Sequence, residues 1–193
     1  MAENESTTSG EEVDEYGVPV KTYQSTVLVV VPPSSYSEET LRYARSCLYN
    51  VSVGTRTVST EEDKLIEGRL QDEFQVDGAL RGESMENYSG LIFVGGPGSS
   101  ELAQDPDVLR LAREAADAGK LLAAWGESVA ILARAQVVRG KKVTGGSTLA
   151  EELKGAGARY TGNQVQRDGG LVTAVDDAAG LRFGKLLVEV VSI

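Results

Sequence analysis

The chain has 193 residues, 41% hydrophobic and 25% charged, which suits one α/β domain with a buried core. Its formal net charge of −10 argues against nucleic-acid binding, because phosphate contacts need Lys and Arg. With no histidine and a single cysteine, His-dependent triads, His-ligated metals and internal disulfides are excluded. No apolar run approaches the ~18 residues of a membrane span, so a cytoplasmic protein without metal, cofactor or membrane contact is expected.

Residues 1–24 hold Glu3, Glu5, Glu11, Glu12, Asp14 and Glu15 against Lys21 alone. They predict an acidic, disordered tail ahead of a domain over residues 25–193, and deleting residues 1–17 is expected to leave the melting temperature nearly unchanged. Tyr16, Val18, Val20 and Tyr23 are the side chains able to pin the end of this tail. Thr26 to Val31 is a continuous apolar, mostly β-branched run, the pattern of a strand covered on both faces. Pro32-Pro33 ends it. Ser37 or Ser35 then caps a helix with Glu38 and Glu39 in its first turn and Leu41, Ala44 and Leu48 as its buried stripe. Cys47 lies beside that stripe and reads as a small buried filler rather than a reactive thiol.

Val51 to Val58 alternates as a second strand, and the runs around Leu65-Ile66 and Phe74-Val76 read as a strand pair. Met85 to Ser89 predicts a helical turn and Leu91 to Val94 a third central strand. Gly95 to Ser100 follows directly. Such a loop either cradles an anion with backbone N–H groups or is a tight turn that lets helix and strand pack closely. Asp105-Pro106 opens a helix that Gly119 ends, with Val108, Leu111, Ala112 and Ala115 facing inward.

Leu121 to Ala124 predicts a buried strand that turns at Trp125-Gly126-Glu127 into a helix over Ser128 to Ala135. A strand, a glycine turn and a helix make an elbow of the kind that raises a nucleophile in α/β hydrolytic folds. Beyond it come strands at Lys141–Thr144, Ala158–Thr161, Gln164–Gln166 and Leu171–Ala174, and a helical turn over Leu149–Lys154. Asp168-Gly169-Gly170 reads as a hairpin turn, and Asp176-Asp177 caps a last helix. Strands alternating with helices predict a largely parallel sheet with helices on both faces. The loops Pro32–Glu39, Gly95–Pro97 and Ala124–Glu127 then meet at the carboxyl ends of its strands, where ligands bind in open α/β sheets.

Three blocks, YSGLIFVGGPGSSEL (88–102), the elbow with VVRGKKVT (137–144), and RDGGLVTAVDDAAGLRFGKLLVEVV (167–191), resemble in order and spacing the ThiJ/PfpI family. That family includes the Parkinsonism-associated deglycase and the PfpI-type proteases and belongs to the class I glutamine amidotransferase-like superfamily. The resemblance covers about Thr26 to Val191. It implies a three-layer α/β/α sandwich with a flavodoxin-like sheet, and a homodimer or higher homo-oligomer. It also implies a cysteine nucleophile on the elbow in an Ala-x-Cys-x-Gly pattern. Anchored on Gly126, that position falls at Ala124, and the histidine that often follows is Trp125. Glu39 best matches the family glutamate after the first strand, with Glu38 as the nearby alternative, while Gly95-Gly96 keeps the oxyanion-type donors.

The expected site is therefore a vestigial pocket of Glu39, Gly95, Gly96, Ala124, Trp125, Gly126 and Glu127, with no catalytic residue. Three functions are consistent with it. The first is a non-catalytic interaction or structural module with a possible protein partner, stress-related in keeping with the family, in which Trp125 plugs the old site, anchors a contact or simply packs. The second is a hydratase-, lyase- or glyoxalase-like enzyme acting through Glu39, alone or paired with Glu127, without a covalent intermediate. The third is a sensor of small anions or nucleotides at Gly95–Ser100.

Overall fold

The run of β-branched residues after the tail forms β1 (Ser25–Val30), and the chain then follows the predicted alternation. In the computed structural model, residues 20–61 and 65–191 are described. Most of the predicted acidic tail, residues 1–19, lies outside them. After β1 come α1 (Glu38–Asn50), β2 (Val53–Ser59), β3 (Leu65–Glu67), β4 (Glu73–Gln75), β5 (Gly78–Ala79) and β6 (Gly90–Phe93). The chain continues through α2 (Ser99–Leu102), α3 (Pro106–Asp117), β7 (Leu121–Trp125), α4 (Val129–Arg134), β8 (Lys142–Val143) and α5 (Ala150–Gly155). It closes with β9 (Arg159–Tyr160), β10 (Val165–Asp168), β11 (Leu171–Ala174) and α6 (Gly180–Val191).

Seven strands form one sheet in the order β10-β11-β7-β6-β1-β2-β5. Every pair is parallel except β10–β11, which the turn at Gly169, with its left-handed φ of 64°, folds back as a hairpin. The run β2-β1-β6-β7-β11 is the flavodoxin-like arrangement, and β6 and β7 are neighbours as predicted. The β3–β4 pair is a separate antiparallel ribbon, and β8–β9 is a small parallel pair beside β10. The two-residue β5 and the four-residue α2 are too short to carry a periodicity that could reveal them, and β7 runs one residue further, through Trp125.

The period-2 alternation of strands sorts the core into two layers. Leu28, Val30, Leu91, Phe93, Leu122 and Ala124 face the layer of α3, α4 and α5. Val27, Val29, Ile92, Val94, Ala123 and Trp125 face the layer of α1 and α6, where Leu41, Ala44, Leu48, Phe183 and Leu187 complete the packing. Among the described residues no helix is long and apolar enough to cross a membrane.

α3 starts where its sequence says it should. Asp105 Oδ1 accepts hydrogen bonds from the N–H groups of Asp107 (2.8 Å) and Val108 (3.2 Å), and Pro106 opens the helix. Losing that cap leaves two N–H groups without this partner. Asp105→Ala is expected to cost about 1 kcal/mol, read as a lower midpoint in urea with an unchanged slope.

Candidate functional site

The three loops predicted to meet do so. The Ser37 N–H donates to the Gly95 carbonyl at 2.9 Å, and the Gly96 N–H donates to Glu127 Oε2 at 3.2 Å. Close approach here depends on missing side chains. A Cβ on Gly95 would lie 2.5 Å from the Trp125 carbonyl oxygen, and one on Gly96 would lie 2.3 Å from that of Ser35. Gly96 also has a φ of +112°, which L-residues rarely adopt.

Beside these loops opens a cavity of 350 Å³, within the size range of small-molecule sites. Trp125, Gly126 and Glu127 form one wall, Ser37 and Arg69 another, and Gly146 to Leu149 and Val175 to Asp177 the rest. Its polar groups hold one another. Arg69 Nη2 donates to Asp177 Oδ2 at 2.6 Å, and the Thr40 hydroxyl donates to Asp177 Oδ1 at 2.7 Å. Asp176 Oδ1 accepts from the Ala178 N–H at 3.0 Å, capping the last turn before α6. Three carboxylates against one guanidinium give the lining a negative balance.

The elbow is present, but its turn residue is Gly126. Ala124 sits inside β7, paired with Phe93 on one side and Thr173 on the other, wholly buried and turned toward α3 and α4. It does not line the cavity, so anchoring the Ala-x-Cys-x-Gly pattern on Gly126 places the nucleophile position two residues too early. Trp125 is the last strand residue. Gly126, with a φ of +59°, is the left-handed residue between strand and helix. An elbow nucleophile belongs on that turn, where its side chain clears the sheet.

The predicted acid needs a similar revision. Glu39 is exposed and lines no part of the cavity. Glu38 is the buried one, but it also lies away from the elbow. Its Oε1 accepts from the Leu70 N–H at 2.5 Å, and its side chain is packed against Gly68. Glu39 and Glu127 therefore do not form a carboxylate pair at this cavity.

Hydroxyls near the elbow offer no replacement. Ser128 is fully buried; its Oγ lies 2.9 Å from the carbonyls of both Phe93 and Trp125 and accepts from the Trp125 N–H. Part of the Gly95–Ser100 loop is likewise occupied. Gly96 gives its N–H to Glu127, and the N–H groups of Ser99, Ser100 and Glu101 are bonded within the loop and the first turn of α2. Trp125 is wholly buried, edge-on to Phe183 at 5.3 Å between centroids, and its Nε1 has no hydrogen-bond partner. Among the described residues no three His, Cys, Asp or Glu side chains are placed so that they could hold a metal ion.

Arg69, Asp176 and Asp177 are charged site residues that sequence reasoning missed. Asp177 was legible, since β11 is parallel to β7 and its carboxyl end must open on the same crevice. Arg69 was not, because it reaches the cavity from the β3–β4 ribbon, outside the main sheet.

Comparison with known proteins agrees with this architecture. Residues 25–190 match the family model described as the DJ-1/PfpI family. An uncharacterized protein of Methanocaldococcus jannaschii is 30% identical over 161 residues, covering 82% of this chain and 78% of that one. The ThiJ/PfpI domain protein of Brachyspira murdochii shares the fold with a TM-score of 0.83 at 22% identity, over 88% of this chain and 98% of that one. A two-domain Anabaena variabilis protein with DJ-1/ThiJ/PfpI-like and ferritin-like domains gives a TM-score of 0.81 at 19% identity, over 86% of this chain. This chain spans about half of that protein, 48% of its length. With a family match over nearly all of the described domain and the elbow crevice in place, the chain belongs to the DJ-1/PfpI family.

Proposed function

We propose that this protein acts by non-covalent binding at the elbow cavity rather than by covalent catalysis. One observation carries the reading: the left-handed elbow position is Gly126, which has no side chain and so offers no nucleophile. The chain holds no histidine, and its only cysteine, Cys47, lies on α1, so nothing on the elbow turn replaces the missing group. Ser37, Ser147 and Thr148 are hydroxyls on the cavity wall without an imidazole to activate them.

The lining selects the ligand class. Glu127, Asp176 and Asp177 outweigh Arg69, and Glu127 already occupies the Gly96 N–H, one of the donors an anion would need. A small cationic or neutral, hydroxyl-rich ligand suits this wall better than a phosphate. A homodimer, as the family resemblance implies, remains part of the proposal.

Trp125 is the only tryptophan in the chain and lines the cavity, so its emission reports occupancy. Titration with agmatine or ribose is expected to shift that emission saturably, and inorganic phosphate is expected to leave it unchanged. A saturable response to phosphate alone would reverse the assignment. No response to any of the three would leave the cavity a structural feature only.

A further inference from the structure

A second and larger hollow lies on the other side of α1, away from the elbow. Its volume is 710 Å³, and it runs between α1, the β1–β2 edge and the β4 strand of the ribbon. Among the α1 residues that line it, Glu38, Arg42, Arg45 and Tyr49 recur at helical spacing. Positions i, i+4, i+7 and i+11 share one helix face, so an acid, two guanidiniums and a ring follow one another along the groove.

The charges on this face do not neutralise each other. Glu38 and Arg42 stand one turn apart, yet neither takes part in an ion pair among the described residues. Glu38 is only 8% exposed. Its Oε1 is held by the Leu70 N–H, while its Oε2 is buried with no hydrogen-bond partner. A buried carboxylate oxygen without a donor is costly, and an incoming N–H would relieve it. Arg42 is exposed beside it.

Aromatic rings stand at both ends. Tyr23 and Tyr49 pack edge-on with centroids 6.4 Å apart, and Tyr36 and Phe74 are tilted at 5.9 Å. These rings already accept cations. Lys21 Nζ lies 3.5 Å from the Tyr49 centroid, and the Arg45 guanidinium lies 5.4 Å from that of Phe74. Burial pushes the Tyr36 hydroxyl up to about 12, with the charges of Glu38 and Asp72 adding to it, so Tyr36 stays neutral at this wall. Gly54 keeps the floor open under Tyr23, whose Cγ would be 3.1 Å from a Cβ there.

We propose that this groove binds an amino-acid-type zwitterion with an aromatic or apolar body. The ammonium pairs with the Glu38 carboxylate, the carboxylate meets Arg42, and the side chain lies along the rings. One helical turn separates Glu38 from Arg42, a spacing that an α-amino acid bridges with its two charged ends.

Calorimetry on the full chain tests this with three probes: L-phenylalanine, phenethylamine and 3-phenylpropionate. L-Phenylalanine is expected to bind at least about tenfold tighter than either compound that lacks one of its charges. Glu38→Gln, which keeps an acceptor for the Leu70 N–H, is expected to reduce phenylalanine to the affinity of 3-phenylpropionate. Arg42→Gln, a change on the exposed helix face, is expected to reduce it to that of phenethylamine. Absence of phenylalanine binding overturns the assignment. So does binding no tighter than either single-charge probe, or binding that both variants leave unchanged.

Discussion

Gly126→Cys is expected to give a thiol that iodoacetamide labels at least about tenfold faster than the native Cys47, while Ala124→Cys gives one that labels no faster than Cys47. The contrast follows from where the two positions sit. A side chain at 126 starts on the cavity wall, and the nearest atom to its Cβ is the Val175 carbonyl oxygen at 4.0 Å. A side chain at 124 starts inside the core between β6 and β11, with no exposure. Cys47 is a poor competitor, because burial pushes its thiol up against the opposing pull of Lys185. The substituted protein pays for the left-handed φ of +59° with about 1–2 kcal/mol, which a domain of this size tolerates. Glu127, next in the chain, opposes ionisation of the new thiol, so the gain in rate comes from exposure rather than from a lowered pKa. Mass-spectrometric mapping separates label at 126 from label at 47. Equal labelling of both variants would place the elbow elsewhere.

Trp125→Ala is expected to cost about 3–5 kcal/mol and to lower the melting temperature by roughly 10 °C. Trp125 is among the largest wholly buried side chains and packs edge-on against Phe183 on α6. It also touches the Gly95 strand end, where only a glycine leaves room for its ring. Removing it opens a void that joins the elbow cavity to the core under α6. Trp125→Phe retains most of the contact area and should cost much less. A loss below about 1 kcal/mol for the alanine variant would mean that the ring is a surface cover rather than a core member.

The sheet was legible because its strands are covered on both faces, so TVLVVV and LIFV stand out as continuous apolar runs. The elbow turn at Trp125-Gly126-Glu127 was legible too, but the nucleophile position on it falls at Gly126 and not at Ala124, and the sequence contained the clue. In the stretch AAWGE only Gly126 takes a left-handed φ without strain, which makes it the nucleophile position itself rather than a marker two residues beyond it. Helical period likewise separates the two glutamates. Leu41, Ala44 and Leu48 define the buried stripe of α1, and Glu38 precedes Leu41 by three residues on that face, whereas Glu39 falls away from it. Neither Arg69 nor the groove opposite the elbow had a local signal. Both depend on where the β3–β4 ribbon folds, and a short ribbon outside the main sheet leaves no periodicity that fixes its placement.

The absence of catalysis at the elbow cavity is tested most directly by methylglyoxal consumption, followed to many equivalents per chain. Loss of the aldehyde at the buffer rate, once the exposed Lys and Arg side chains have reacted, is the expected result for the wild-type protein. Sustained turnover above the buffer rate, abolished by Glu127→Gln while the fold is retained, would contradict the account.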